Sequence, residues 1–200
     1  DGHSAPTRER SDMVNVLIAY ASTHGHTAKI CRRIADVLQS DDLDVDLCDL
    51  GAGDDPDPRD HDGIIVAASI HKGTHQHETT RWVRRRRDAL AGRPTAFVSV
   101  SLTAAEDTDE AREFTQGALH DFAVETGWTP DRAVAFAGAL QYREYDFFTR
   151  TLMRLLMRRG GHPTDTSHDY DYTDWDAVAA FAKDFDNNLP SQPAGSRDAT

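Results

Sequence analysis

The sequence has no long hydrophobic run, and it contains few cysteines and few aromatic residues. Its 200 residues include 2 cysteines and 8% aromatic residues, and no stretch approaches the roughly 18 to 20 apolar residues that a membrane-spanning helix needs. Asp1 to Asp12 are polar and charged, so we expect no secretory signal there. With 38% hydrophobic residues the chain has the composition of one soluble domain, and a membrane-spanning or collagen-like protein is excluded.

The two cysteines, Cys31 and Cys48, lie inside the apolar patterns of an expected helix and an expected strand. Such positions are typical of buried thiols in a reducing compartment. We therefore expect no disulfide and a cytoplasmic location.

Basic residues are fewer than acidic ones: the chain has 22 basic and 34 acidic residues, and its net charge is −12. This balance argues against general affinity for nucleic acid phosphate. The acids are 27 Asp and 7 Glu, and the bases are 3 Lys and 19 Arg. An Asp-rich, Lys-poor surface is typical of salt-loving archaea, where salt screens carboxylate repulsion. We expect a halophilic protein, with an ordinary acidic protein as the alternative.

Apolar runs alternate with helix-like periodicities along the chain. Strands are expected at residues 14–20, 43–50, 63–68, 95–100 and 133–139, and helices around 30–38, 80–90, 110–126 and 174–185. This alternation predicts a doubly wound α/β domain with right-handed crossovers. The expected order is the flavodoxin-like 2-1-3-4-5, with ligands at the carboxyl ends of strands 1 and 3. We expect one domain at 13–188, a disordered tail at 1–12 and a flexible tail at 189–200.

A loop rich in hydroxyl groups, Ser22 to Thr27, lies between the first strand and the first helix. Backbone N–H groups and the helix dipole favour an anion at such a position. The loop has neither the G-x-G-x-x-G nor the G-x-x-x-x-G-K spacing, so neither a dinucleotide nor a nucleoside triphosphate is favoured. A simple helix N-cap remains the alternative.

The pattern Ser22-x-x-Gly25-x-Thr27 resembles the flavodoxin phosphate loop, with His24 where that family usually has Thr or another small polar residue. Further blocks, in order between about Val14 and Phe185, resemble the flavodoxin-type, quinone-dependent protoporphyrinogen IX dehydrogenases. They are Ala68-Ser69-Ile70-His71-x-Gly73, Ala96-Phe97-x-Ser99-Val100, Trp128-x-Pro130-Asp131-Arg132, Ala137-Gly138-Ala139-Leu140-x-Tyr142, and Thr164-Asp165-Thr166 through Tyr172-Thr173-Asp174-Trp175.

This resemblance implies FMN held without a covalent bond, oxidation of protoporphyrinogen IX or a related tetrapyrrole, and transfer of electrons to menaquinone or another quinone. It implies two groups of cofactor-binding residues. Around the FMN phosphate would lie Ser22, Thr23, His24, Gly25, His26 and Thr27. Along the isoalloxazine ring would lie Ser69, Ile70, His71, Lys72, Gly73, Ser101, Leu102, Thr103 and Ala104.

Histidines are frequent in the loop that follows the third strand. We take His71 and His75 as candidate catalytic residues for proton handling, because an unperturbed imidazole titrates near pH ~6.5. A metal site formed by His71, His75 and His77, with His24 and His26 near them, is the rival interpretation. Its spacing is not a standard ligand pattern, so no metal is expected.

Two basic segments stand out on this acidic chain. Arg81 and Arg84 to Arg87 are expected to pair with local acids, and contact with substrate propionates or a lipid surface is the alternative. Phe147 to Arg159 predicts an extra amphipathic helix before the last helix, with Arg150, Arg154 and Arg158 on one stripe. Such a helix suits peripheral contact with the inner face of the membrane, a cover over an apolar substrate pocket, or ordinary core packing.

Three other functions remain open from the sequence. A small flavodoxin-type electron carrier would bind FMN and dock to redox proteins without turning over an organic substrate. An FMN-dependent quinone reductase would take electrons from a nicotinamide that binds transiently. A binding module that has lost its flavin is the third, because His24 departs from the usual loop.

A halophilic surface predicts that salt stabilises the fold. Between about 0.1 M and about 2 M KCl we expect the thermal unfolding midpoint to rise by several degrees, because screening weakens repulsion among carboxylates. Circular dichroism at 222 nm measures the midpoint, and a matched sucrose series controls for surface exclusion. Equal midpoints in low and high salt would identify an ordinary acidic protein.

Overall fold

The computed structural model describes residues 13–71, 73–140 and 170–190. The expected N-terminal tail, the expected helix from Phe147 to Arg159 and nearly all of the expected C-terminal tail lie outside these ranges. The strands are β1 Asn15–Ala21, β2 Asp44–Asp49, β3 Gly63–His71, β4 Thr74–His75, β5 Thr95–Ser101, β6 Arg132–Ala137, β7 Ala139–Leu140 and β8 Tyr170–Asp171. The helices are α1 His26–Ser40, α2 His77–Leu90, α3 Asp109–Thr126 and α4 Trp175–Asp186, with 3-10 turns at Pro58–Asp60 and Thr103–Ala105.

Five parallel strands form the main sheet in the order β2-β1-β3-β5-β6. Counted among the parallel strands alone, this is the predicted order. Two short antiparallel pairings were not predicted: β4 folds back on β3, and β7 pairs with β8. Both lie beyond the carboxyl ends of sheet strands, where the candidate site residues were expected.

The central strands are buried because their sequences are almost continuously apolar. Every residue of β5 is buried, as are all residues of β1 except Asn15 and the first six of β3. Strand β2 instead alternates Asp with apolar residues and is half-buried or exposed. A parallel strand covered on both faces needs apolar side chains at successive positions, whereas an edge strand tolerates alternation.

Helices cover each face of the sheet and close a separate core. On one face, Ile30 and Leu38 of α1 and Phe185 of α4 pack on the sheet. On the other, Trp82 of α2 and Phe122 of α3 pack on it. The two layers bury the parallel strands on both faces.

Both cysteines are free thiols, as the sequence predicts. Cys31 is fully buried, and burial raises the pKa of its thiol. Cys48 is only half-buried, so the expectation of two buried thiols was wrong for this residue. The reason is its place on β2, which pairs on one flank only among the strands of the described ranges.

Arginines of helix α2 pair with nearby acids, which confirms the expectation that this basic segment pairs with local acidic residues. Arg85 and Arg86 approach Asp55 at 3.0 and 2.9 Å, and Arg84 Nε donates to the carbonyl oxygen of Glu125 at 2.7 Å. The hydrogen bond from Arg86 lowers the pKa of the Asp55 carboxyl. These contacts fix α2 against the acidic loop that follows β2.

Close packing at the first residue of β3 predicts a sensitive position. A Cβ at Gly63 would overlap Leu189 and lie 3.3 Å from the Phe185 ring. We expect Gly63→Ala to lower the free energy of unfolding by about 1–3 kcal/mol through overpacking, measured by urea denaturation. Adding Leu189→Ala should recover part of the loss.

Gly117 provides the matched control, because a Cβ there meets nothing within 4 Å inside helix α3. Gly117→Ala should be neutral or stabilising by up to about 1 kcal/mol. If Gly63→Ala behaves like Gly117→Ala, the end of α4 does not pack against β3 as described.

Candidate functional site

The candidate site lies at the carboxyl ends of β1, β3 and β5. From β1 the chain crosses to β2 on one side, while β3 and β5 lie on the other. In open α/β sheets, ligands bind at the crevice that this change of direction creates. The loops after these strands bring together both predicted groups of cofactor-binding residues, the second of which comes from two loops.

The loop after β1 has the features of an anion site. Gly25 precedes α1 with φ +76°, no side chain caps the helix, and no acidic residue lies in its first turn. The Ser22 Oγ is buried and has no hydrogen-bond partner among the described residues. Unpaired donors at a helix N-terminus need an acceptor, so the loop fits the phosphate of a bound cofactor.

The His26 side chain does not join the other polar groups of this loop. It is buried, and its Nε2 lies 2.6 Å from the Thr173 Oγ1. Thr173 Oγ1 donates to the carbonyl oxygen of Ala137 at 2.8 Å, so the Nε2 of His26 is the donor to Thr173. Burial lowers the pKa of His26, which favours the neutral ring, and the bond to Thr173 places its proton on Nε2. His26 thus anchors α1 to the segment before α4, and only its backbone N–H remains at the loop.

The second wall is the hairpin formed by β3 and β4. Ile70 pairs with His75 and His71 with Thr74, and Gly73 makes the turn with φ +85°. Lys72, a predicted cofactor residue, is outside the described ranges. The exposed His71 ring lies 6.3 Å from that of His24, measured between centroids. The structure therefore brings the phosphate loop and the end of β3 together, as the resemblance implies.

His75 has a different environment from His71. Its Nε2 lies 2.9 Å from the Ser99 Oγ, and its ring centroid is 5.1 Å from those of both Phe97 and Phe122. Desolvation lowers its pKa to about 4, so the imidazole is neutral near pH 7. The ring anchors β4 to β5 over the α2–α3 core. Its role in proton handling stays a prediction.

The third wall follows β5. Ser101 is buried, its Oγ accepts from the backbone N–H of Ala104 at 3.2 Å, and its carbonyl oxygen accepts from Gly138 N–H at 3.0 Å. The bond to Ala104 joins Ser101 to the 3-10 turn Thr103–Ala105, and Leu102, Thr103 and Ala104 lie at the same edge of the sheet. All three are half-buried, which suits contact with a flat ring.

Sequence reasoning missed Gln76, which connects two of these walls. Its Nε2 donates to Thr23 Oγ1 at 2.8 Å, and its Oε1 accepts from the backbone N–H of Ser69 at 3.2 Å. The pairing of β4 with β3 could have revealed it, but a two-residue strand leaves almost no periodic signal.

The predicted rival metal site gains no geometric support. Across residues 13–71, 73–140 and 170–190, no three side chains from His, Cys, Asp and Glu gather as a metal site. His71 is exposed at the end of β3, while His75 is held against Ser99.

The comparison with protein families gives a match over residues 17–167 to the Flavodoxin domain. The chain belongs to this family. Two relatives named protoporphyrinogen IX dehydrogenase (quinone) match most of the domain. The Escherichia coli K12 protein is 29% identical over 171 residues, covering 86% of this chain and 94% of its own. The Leishmania major protein is 35% identical over 171 residues, covering 84% and 73%.

Solved flavodoxin structures share the fold of this Flavodoxin domain. Oxidised flavodoxin 1 from Bacillus cereus has a TM-score of 0.55 and 14% identity, covering 88% of this chain and 99% of its own. A flavodoxin from the domain Archaea has a TM-score of 0.51 and 14% identity, covering 87% and 97%. The predicted flavodoxin-like doubly wound fold is thereby confirmed.

The low pKa of His75 predicts a loss of stability in acid. The folded pKa is about 4 and the ordinary value 6.5, so between them the unfolded chain binds more protons. The contribution of neutral His75 to the free energy of unfolding is fully present above pH ~6.5 and declines as the pH falls towards ~4. When the pH falls from ~7 to ~4.5, the unfolding free energy of the parent protein should fall because His75 becomes protonated on unfolding. His75→Gln has no imidazole at this position, so its unfolding free energy should fall by about 2 kcal/mol less.

Urea denaturation at the two pH values measures this difference. His71→Gln is the matched control, because it makes the same substitution at an exposed position of the same hairpin. Parallel slopes for His75→Gln and the parent protein would contradict the burial of a neutral His75.

Proposed function

We propose that the protein is an FMN-dependent oxidoreductase that oxidises protoporphyrinogen IX, or a related tetrapyrrole, to the porphyrin with a quinone as electron acceptor. The observation that carries this proposal is the match to protoporphyrinogen IX dehydrogenases over more than four fifths of the chain. The Flavodoxin-domain match, residues 17–167, includes all three walls of the candidate site. An electron carrier would need only the flavin, so relatives named protoporphyrinogen IX dehydrogenase favour the enzyme over the carrier.

A flavin is the cofactor that a Flavodoxin domain implies, and the loop after β1 supports FMN among flavins. The buried Ser22 Oγ, the Thr23 hydroxyl and the first N–H groups of α1 would hold its phosphate. The half-buried turn after Ser101 and the end of β3 would hold its ring. Bound FMN would supply the redox chemistry between substrate and quinone, while the protein positions the ring and excludes water.

Proton handling in this proposal falls first to His71. It is exposed at the mouth of the site, beside His24, so it can exchange protons with solvent. His75 is held neutral by burial and is bonded to Ser99, so it would contribute as a fixed hydrogen-bonding group behind the hairpin. Neither residue needs to act as a nucleophile, because the flavin supplies the reactive group.

Peripheral membrane contact is part of the proposal on sequence grounds alone. Phe147 to Arg159 is the segment concerned, and the structure does not describe it. Among the helices of the described ranges, none is long and apolar enough to cross a bilayer. A quinone partner in the membrane gives such contact a chemical purpose. The halophilic and cytoplasmic assignments likewise rest on composition.

An anaerobic assay in high salt tests the function. FMN-loaded protein, protoporphyrinogen IX and a soluble menaquinone analogue are mixed, and porphyrin fluorescence is followed. We expect fluorescence that depends on both protein and quinone and exceeds an FMN-only control. Flavin binding without porphyrin above the control would leave the fold and cofactor but remove the substrate, pointing to an electron carrier or a quinone reductase.

A further inference from the structure

The hairpin of β3 and β4 places Gln76 opposite the end of β3. Ile70 pairs with His75 and His71 with Thr74, so the same register continues to Ser69 and Gln76. Gln76 is also the residue before helix α2, where its carbonyl oxygen accepts from Thr80 N–H at 3.2 Å. Its backbone is therefore fixed by a strand on one side and a helix on the other.

The side-chain amide of Gln76 joins two loops that are far apart in sequence. The backbone N–H of Ser69 donates to its Oε1 at 3.2 Å, and its Nε2 donates to Thr23 Oγ1 at 2.8 Å. Thr23 belongs to the phosphate loop and Ser69 to the wall expected to line the ring. One side chain thus spans both halves of the candidate flavin site.

The directions of these hydrogen bonds are fixed by chemistry. A backbone N–H can only donate, so the amide atom facing Ser69 has to be the oxygen. The amide nitrogen then faces Thr23, and because an NH₂ group can only donate, the Thr23 oxygen accepts. The single hydrogen of the Thr23 hydroxyl consequently points away from Gln76 and is available to another acceptor. The relay from Ser69 through Gln76 makes Thr23 a hydrogen-bond donor.

We propose that Gln76 is a positioning residue that turns the Thr23 hydroxyl into a donor for the cofactor phosphate, and so sets a preference for phosphorylated over unphosphorylated flavin. This inference rests on the proposed FMN function and names a determinant of its cofactor selectivity. Hydrogen bonds to charged groups are stronger than those to neutral groups. The selectivity therefore depends on which way the hydroxyl points.

Gln76→Glu reverses the relay with almost no change in shape. The carboxylate can still accept from Ser69, but it cannot donate to Thr23, so the Thr23 hydroxyl turns to donate to Glu. Gln76→Ala removes the relay and leaves the hydroxyl free to rotate. The glutamate variant should therefore weaken phosphate binding more than the alanine variant does.

The test measures dissociation constants for FMN and for riboflavin, which lacks the phosphate, by flavin fluorescence quenching in about 1 M KCl. Salt at this level limits long-range effects of the added charge. We expect Gln76→Glu to weaken FMN binding about tenfold or more and to change riboflavin binding by less than about twofold. Gln116→Glu adds the same charge at an exposed position on α3 and should change neither constant.

Thr23→Val separates orientation of the hydroxyl from simple repulsion by the new carboxylate. Without the hydroxyl, adding Gln76→Glu should change FMN affinity by less than about threefold, because the relay has nothing to orient. If the full tenfold loss persists with valine at position 23, charge repulsion explains it and the relay is refuted.

Equal weakening of FMN and riboflavin in Gln76→Glu would also overturn the proposal, because Gln76 would then serve the shape of the site alone. Circular dichroism of each apoprotein shows whether a variant is folded. If Gln76→Glu is not folded, Gln76→Ala is compared with the parent protein instead. If the parent protein binds neither flavin, the proposed function fails and this inference fails with it. Flavin binding without a difference between Gln76→Glu and the parent protein refutes the relay alone.

Discussion

Burial of β1, β3 and β5 on both faces is the constraint on which the rest of the molecule depends. Three nearly continuous apolar strands can lose water only between two helical layers, and parallel strands then require a helix in each crossover. This arrangement brings the carboxyl ends of the strands to one edge. The loops at that edge are free to carry polar groups, because the stability of the domain comes from the two cores beneath them.

Backbone groups at that edge decide what the polar side chains can do. The N–H of Ser69 fixes the orientation of the Gln76 amide, and the carbonyl oxygen of Ala137 fixes the tautomer of His26 through Thr173. In each case a backbone group that can only donate or only accept determines which side-chain atom donates and which accepts. Hydrogen bonds within the protein therefore already orient these side chains of the candidate site.

The histidines show how environment separates residues that look alike in a sequence. His26 is buried against Thr173, His75 packs edge-on against the stacked rings of Phe97 and Phe122, and His71 is exposed near His24. Burial lowers the pKa of the first two, which makes them neutral anchors. His71, by contrast, is exposed at the end of β3, so spacing in the chain was a poor guide to a shared environment.

The sequence by itself determined the fold class, the order of the parallel strands and the place of the hydroxyl-rich loop between the first strand and the first helix. Those features depend on apolar periodicity and on residue types at short spacing, which are local properties. Only the tertiary structure decided that Gln76 spans Thr23 and Ser69, that His26 turns away from the loop, and that Cys48 is half-buried on an edge strand. These outcomes depend on contacts between residues distant in the chain, and such contacts leave no periodic pattern.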